Sequence, residues 1–544
     1  MWEIHTSGAW ILPLRNGHII PSKPPLFHWL GALLSLGWGE LSELTIRLPS
    51  ALLAITGVLL TYFTGVSLWG VEAGLIAAFI LATSFEWVRA ATTARVDMTL
   101  TVCMVTAFLF FQFLYRRGAA SRLESLFFFL LLGLATLAKG PVGALLPGLT
   151  IVVFLALRHD LGFLRRLSVI SGGALLILVA GSWYGLALWQ GGDEFFRTQI
   201  MKENVMRFFS SNAAGAGHEH PFYYFIPNLF LGMAPWSFFF PALAYFLYQR
   251  RRTLHADGLL YPLVWAATIF LFYSAASGKR TVYILPLYPA LALLLGAWWQ
   301  ELRRGTTHLP GVLSRLLQGG GYVGFYSIML AMGIVIGQLF GYDPLGLIRP
   351  LLHPKDQSNL PFFSNVVTHH PLAFLLWFGV VGPSALMLLY SIHRQQWGWL
   401  FTSLVVFAGS TFLLANNVFQ PIIANARTFK PFMARVTQQI GDAPLFFYKA
   451  FDNGALYYAD RHIPHYDSAL MASGQAFFLL TWEDEWQKIA AQSASGLRDV
   501  DISEGTGPKG KLRLVLVAVT DGAQIPKVPV SSEKEEDATE DDTL

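Results

Sequence analysis

Charge is scarce in this sequence. Asp, Glu, Lys and Arg make up 13% of its 544 residues, about half the share of a soluble globular chain. With 54% hydrophobic residues, that shortage excludes an ordinary soluble protein and points to a chain that crosses a membrane many times. Cysteine is nearly absent. The single Cys103 rules out an intrachain disulfide and any cysteine-based metal cluster. It lies in an apolar run and reads as a small buried hydrophobe. No basic segment followed by an apolar core occurs in residues 1–20, so a cleavable leader is not expected. The net charge of +4 is small, and the placement of the cations says more than their sum.

A membrane-crossing helix needs about 20 mostly apolar residues. Twelve stretches are read this way: roughly 45–69, 71–89, 96–115, 123–138, 141–157, 167–189, 222–248, 259–276, 281–299, 320–340, 372–392 and 398–415. Alternate loops between them hold Arg116, Arg117 and Arg122; Arg158, Arg165 and Arg166; Arg250, Arg251 and Arg252; Arg303, Arg304 and Arg315; and Arg394. An excess of Lys and Arg marks cytoplasmic loops, so these five loops are expected inside. The other face then carries the N-terminal segment with Lys23, the turns at Arg95, Lys139 and Lys279, the loops 190–221 and 341–371, and everything after 416.

From about 430 the hydropathy drops. "APLFFYK" (443–449) and "LRLVLVAV" (512–519) predict strands, while "NGALYYADR" (453–461) and "WEDEWQKIAAQ" (482–492) predict helices. Together they read as a small α/β domain. The last stretch, "SSEKEEDATEDDTL", holds seven acids and one lysine and reads as a solvated, disordered tail. The expected organisation is an outer-face loop with an interfacial helix over 1–44, a transmembrane domain over 45–415, an α/β domain over 416–524 and an acidic tail over 525–544.

The polar residues of the apolar part gather on the outer face. Ionisable residues at membrane depth are costly and usually mark a working site. Lys23 stands at the corner "SKPP", where two prolines fix an extended backbone ahead of a helix. Arg47 opens the first span; Arg89, Arg95 and Asp97 bracket a short turn; Lys139 sits in "LAKGPVG". Glu203 and Arg207 are four apart in "EFFRTQIMKENVMRFF", with His218 and His220 following, and Lys279, Arg280 and Tyr283 share "SGKRTVYILPLYP". Each has a structural alternative. Span-end cations also snorkel to headgroups, Glu203 with Arg207 also fits a surface pair, and a His-x-His pair without a third ligand is a weak metal motif. Asp97 has the fewest such alternatives, because a lone carboxylate opening an apolar span has little structural reason to be there. A mostly cationic cluster at headgroup depth suits a phosphate carried on a lipid. Its chemistry would be to stabilise a phosphate leaving group.

"SKPPLFHWL", "RLPSAL", "ARVDM", "LAKGPVGALLPG", "ENVMRF", "HPFYYFIPNLFLGMAPW" and "SGKRTVYILPLYPALALL" resemble, in order, the bacterial aminoarabinose transferase and polyprenyl-phosphate-mannose protein mannosyltransferase group, which are multi-span GT-C glycosyltransferases. The resemblance covers residues 1–300 and continues more weakly to about 460. It implies a mainly α, polytopic GT-C helical bundle with a small C-terminal α/β periplasmic domain, in the bacterial inner membrane. It also implies inverting transfer of a sugar from a polyprenyl-phosphate donor to a lipid, glycan or protein acceptor at the periplasmic face, with membrane lipids as neighbours and no nucleic acid. Carried over by position, Lys23, Lys279, Tyr283 and Arg207 would contact the carrier phosphate. Asp97 matches the family's second outer acidic position and is the catalytic candidate. Glu203 and Asn204 match the "eN..Rf" helix, with Arg47, Arg95 and Lys139 in support. His218 matches a family histidine that, with an acid just before the lysine corner, holds a divalent metal in some members; here that acid position is Ser22.

The family also places a further span and an Asp-Glu pair ahead of the lysine corner, the Asp being its principal catalytic acid. "MWEIHTSGAWILPLRNGH" resembles the middle of that outer loop. The expectation is an N-terminally shortened reading of a thirteen-span protein, checked by looking for an in-frame upstream span with that pair. Two other classes compete. A transporter or flippase of lipid-linked sugars should place charges at mid-span and show repeated halves, which this sequence does not. A non-catalytic relative that binds carrier lipid fits the missing acid.

Overall fold

The computed structural model describes residues 1–206, 220–351, 360–467, 477–492, 496–507, 510 and 512–520. The chain forms two compact units. One comprises Met1–Pro13 and Ile20–Leu414, the other Leu14–Ile19 and Ala415 onward. The first is helical, and each of the twelve apolar stretches lies on helix. Among the described residues, seven helices are long and apolar enough to cross a membrane, and two bent pairs raise that number to nine. The bends fall between Val71–Ala82 and Phe85–Thr92 (62°) and between Phe222–Gly232 and Trp236–Gln249 (110°). Val142–Leu157 and Leu260–Ala275 are apolar but shorter. Arg122–Lys139 has span length but carries Arg122, Glu124 and Lys139 within its 18 residues.

Local signals explain where helices begin. Ser42 opens Glu43–Trp69 with a capping box, its hydroxyl accepting from the Thr45 amide and its own amide donating to the Thr45 hydroxyl. Ser121 and Glu124 do the same for Arg122–Lys139. Such reciprocal caps satisfy donors that the first turn leaves open.

Burial then separates central helices from peripheral ones. In the apolar window of Val96–Arg117, 72% of residues are buried, and in that of Thr281–Arg303, 83%; the figure is 22% for Glu43–Trp69 and 17% for Gly311–Leu339. On Glu43–Trp69 the exposed Leu52, Ile55, Leu59 and Phe63 recur every three or four residues, the spacing of one helix face. That apolar stripe suits lipid. Phe108 and Phe111 of Val96–Arg117 and Tyr288, Trp298 and Trp299 of Thr281–Arg303 are fully buried. Cys103, expected to be buried, is half-buried.

The second unit holds a four-stranded sheet, β1 (Leu445–Phe447), β2 (Phe477–Trp482), β3 (Leu497–Ile502) and β4 (Leu514–Val519), in the order β1-β2-β4-β3. β1 pairs parallel to β2, and β4 runs antiparallel to both its neighbours. Leu514 and Leu516 join a core with Phe432, Met433 and Val436 of helix Lys430–Ile440, while Val515, Val517 and Val519 pack with Ile489 of helix Glu483–Gln492. Both faces of β4 are covered, which accounts for its unbroken apolar run. The sequence reading found β1, β4 and the two helices but missed β2 and β3. "FFLLTW" runs straight into a helix, and "LRDVDI" is an exposed edge strand with polar residues.

Residues 14–19 also depart from expectation. They belong to the second unit rather than to an outer loop over 1–44. Asn16, buried, donates to the Ile463 carbonyl at 2.7 Å and accepts from the Ile463 amide at 2.9 Å. One side chain thus replaces a backbone ladder pair across 447 positions of sequence. The acidic tail 525–544 lies outside the described residues.

Candidate active site

Several of the sequence-derived residues meet at one end of the first unit. The corner "SKPP" is held by the segment Phe196–Met206, wound as a π-helix. Glu203 forms an ion pair with the Lys23 ammonium, both side chains being mostly buried. Gln199, fully buried, donates from Nε2 to the Pro21 carbonyl. The prolines stiffen the corner and these two contacts fix where its ammonium stands.

A second pair lies at the start of the central helix Val96–Arg117. Asp97 is buried and ion-pairs with Lys139, the last residue of Arg122–Lys139. The Lys139 ammonium also lies 4.1 Å from the centroid of the Tyr283 ring, a cation–π arrangement. Arg95, half-buried one turn-residue ahead of the helix, and Arg280 add positive potential at the Asp97 carboxylate. The site therefore sits at the ends of the two most buried spans, since Tyr283 belongs to Thr281–Arg303.

Gly140 connects the two pairs. It ends the Lys139 helix with φ of 108°, a conformation that favours glycine. A Cβ there would stand 2.6 Å from Oδ1 of Asn204, the neighbour of Glu203. The π-helix and the Lys139 helix end are thus in direct contact. Asn204 itself donates to the Gln199 carbonyl.

A third pair was missed from sequence. Glu86, buried, accepts two hydrogen bonds from Arg89, at 2.8 and 2.6 Å. The fork-on-carboxylate geometry orients the guanidinium firmly. An acid inside the apolar stretch 71–89 was the available signal. Gln199 offered none.

Other expected residues stand apart. Lys279 is buried, and its ammonium donates to the Ala276 carbonyl at 2.5 Å and the His220 carbonyl at 2.9 Å. It closes the end of helix Leu260–Ala275 and ties in the segment at His220, whose ring stacks on Tyr224 at 4.0 Å. Arg47 is exposed on Glu43–Trp69 and makes no side-chain hydrogen bond or ion pair among the described residues. Glu203 pairs with Lys23; Arg207 and His218 lie outside the described residues. Among the described residues no three His, Cys, Asp or Glu side chains gather to hold a metal.

The fold and this cluster define a polytopic helical protein with lysine–carboxylate pairs gathered at the ends of its most buried spans. Residues 22–184 match a family model described as dolichyl-phosphate-mannose-protein mannosyltransferase. The chain is 32% identical over 295 residues to an uncharacterized protein of Aquifex aeolicus, covering 53% of this chain and 55% of that protein. It is 27% identical over 361 residues to the undecaprenyl phosphate-alpha-4-amino-4-deoxy-L-arabinose arabinosyl transferase of Edwardsiella ictaluri, covering 64% of this chain and 62% of the enzyme. The match thus spans between half and two thirds of the length of these relatives. Among solved structures, ArnT from Cupriavidus metallidurans bound to undecaprenyl phosphate superposes with a TM-score of 0.73 at 21% identity, over 97% of this chain and 93% of that one. The fold is that of ArnT, and over part of its length the chain is similar to the mannosyltransferase family model and to the arabinosyl transferases.

Proposed function

We propose that this protein is a bacterial inner-membrane glycosyltransferase that moves a sugar, with inversion, from a polyprenyl-phosphate donor to a lipid, glycan or protein acceptor at the periplasmic face. The observation that carries the proposal is the junction of two ion pairs, Lys23–Glu203 and Asp97–Lys139, through the Gly140–Asn204 contact. The ArnT and PMT likeness supports the donor class.

In the reaction, an acceptor oxygen attacks C1 of the sugar from the face opposite the phosphate. The C1–O bond breaks and polyprenyl phosphate leaves with its electron pair. Charge builds on that phosphate, and preorganised cations stabilise it best where water is scarce. Lys23 and Lys139 are the two ammonium groups of the junction. Each rests on a carboxylate, so the donor phosphate exchanges one anionic partner for another without leaving a buried cation unpaired. Taking Lys139 frees Asp97, which then accepts the proton if the acceptor is a hydroxyl. A phosphate acceptor is already anionic and needs no such base. Glu203 holds Lys23 in place, Arg95 adds positive potential at Asp97, and Tyr283 supports Lys139 through its ring; the family resemblance adds Arg207 and Lys279 as further phosphate contacts.

The test is transfer of labelled sugar from a polyprenyl-phosphate donor in membranes containing the protein, with product sorted into lipid, glycan and protein fractions. Label moving into one fraction supports the reading and names the acceptor. Donor flipped across vesicles without transfer supports the transporter alternative, and donor binding with neither activity supports the non-catalytic one.

A further inference from the structure

A cavity of about 380 Å³ lies at the opposite end of the Val96–Arg117 helix from Asp97. Its rim carries Arg116, Arg158 and Arg166. Each guanidinium is held by neutral groups. Arg116 donates to the Ser67 carbonyl at 2.6 Å, Arg166 to the Gly118 carbonyl at 2.6 Å, and Arg158 from Nε to the Tyr115 hydroxyl at 3.3 Å. None pairs with a carboxylate among the described residues. Nearby arginines outside the cavity do: Arg117 with Glu124, Arg250 with Asp257 and Glu301, and Arg303 and Arg304 with Glu72. A guanidinium has five donors, so the three rim residues keep donors unused.

Two acids also line the cavity. Asp257 shares Arg250, at 3.5 Å, with Glu301, at 2.5 Å, and accepts from Thr253 at 2.6 Å, so with Asp160 two carboxylates face the three rim guanidiniums and the shared Arg250. Inside, buried Gln112 presents an Oε1 with no hydrogen-bond partner. Phe154, Phe163 and Leu68 supply apolar wall. A cationic rim over an apolar wall, at the end of a bundle of spans, matches a phosphate group on an amphiphile.

We propose that this cavity binds the phosphate headgroup of an anionic membrane lipid, at a site separate from the Lys23 and Asp97 cluster and independent of the transfer reading. Gln112 would take a hydrogen bond from a headgroup hydroxyl while the three arginines share the phosphate.

Native mass spectrometry of the full chain, released from bilayers of phosphatidylcholine with phosphatidylglycerol, tests this. The wild type should retain one phosphatidylglycerol. The variant Arg116→Gln/Arg158→Gln/Arg166→Gln should retain it at least about tenfold less, since one charge-assisted hydrogen bond accounts for a factor of roughly that size. Arg251→Gln/Arg252→Gln, exposed on the same end but outside the cavity, should behave as wild type. Ala256→Glu adds an anion at the cavity wall without removing a contact, and it should also lose the lipid. Competition by millimolar inorganic phosphate would support the site but assign it to a soluble phosphate. Equal retention in the triple variant and Ala256→Glu overturns the proposal, as does equal loss in the Arg251/Arg252 variant.

Discussion

At its start the Val96–Arg117 helix carries Asp97, buried and paired with Lys139. At its end, 19 residues and roughly 28 Å along the axis at 1.5 Å per residue, it carries Arg116 and Arg117, both exposed. Buried charge survives only when matched, because removing one partner leaves an ion that the interior cannot solvate. Exposed charge is solvated anyway, so its pairing contributes little and its partners are interchangeable. The difference teaches which cations can do directed work. Those at the Asp97 end are held in one geometry by carboxylates, prolines and a π-helix. Of those at the Arg116 end, Arg116, Arg158 and Arg166 are held by neutral oxygens and keep donors for a ligand.

The contrast can be broken at its strongest point first. Asp97→Asn and Lys139→Met should each lower stability by about 3–5 kcal/mol, read from unfolding in detergent. The double variant should cost clearly less than their sum, as expected of a direct pair. Additive losses would mean the two residues do not depend on each other.

The second unit sharpens the comparison, because Asp452 is buried with no ion pair among the described residues. It caps helix Asn453–Ala459 through the Ala455 amide at 2.9 Å, and burial raises its pKa from 3.8 to about 6. A carboxyl with a raised folded pKa favours the fold below the unfolded value and loses that contribution as pH rises through the folded one. Stability should therefore fall by about 2–3 kcal/mol between pH 4 and pH 6, and Asp452→Asn should flatten that profile. A profile unchanged by the substitution would place the titration elsewhere.

Next in size is Asn16→Ala, which removes both hydrogen bonds to Ile463 and leaves backbone groups buried. A loss of about 1–3 kcal/mol is expected, seen as a lower unfolding midpoint of the second unit. At the exposed end, Arg117→Gln should leave the midpoint unchanged in moderate salt despite the 2.7 Å contact with Glu124. A clear drop there would erase the distinction between the two ends.

Much of the architecture was legible in sequence because lipid makes a blunt demand. Every span must be long and apolar, and all twelve stretches lie on helices. The site was legible to the extent that its residues are ionisable and out of place. Lys23, Asp97, Lys139, Glu203 and Tyr283 were each picked out, but their partners were not. Nothing in sequence says that Lys23 reaches Glu203 across 180 positions or that Asp97 takes Lys139 across 42. Those pairings depend on how the helices pack, as at Gly140 and Asn204. Glu86 escaped because its neighbour Arg89 reads as a span-end cation. Gln199 escaped because an uncharged side chain that fixes one carbonyl has no pattern. The fold around Asn16 escaped because a six-residue excursion into another unit is too short to carry periodicity.

Labelled sugar transfer from a polyprenyl-phosphate donor, compared among wild type, Lys23→Ala and Arg158→Gln in the same membranes, tests the central claim most directly. Transfer should fall about a hundredfold in Lys23→Ala, at unchanged protein level, and stay near wild type in Arg158→Gln. Near-normal transfer by Lys23→Ala, or an equal loss in both variants, would contradict a donor phosphate held at the Lys23 and Asp97 end.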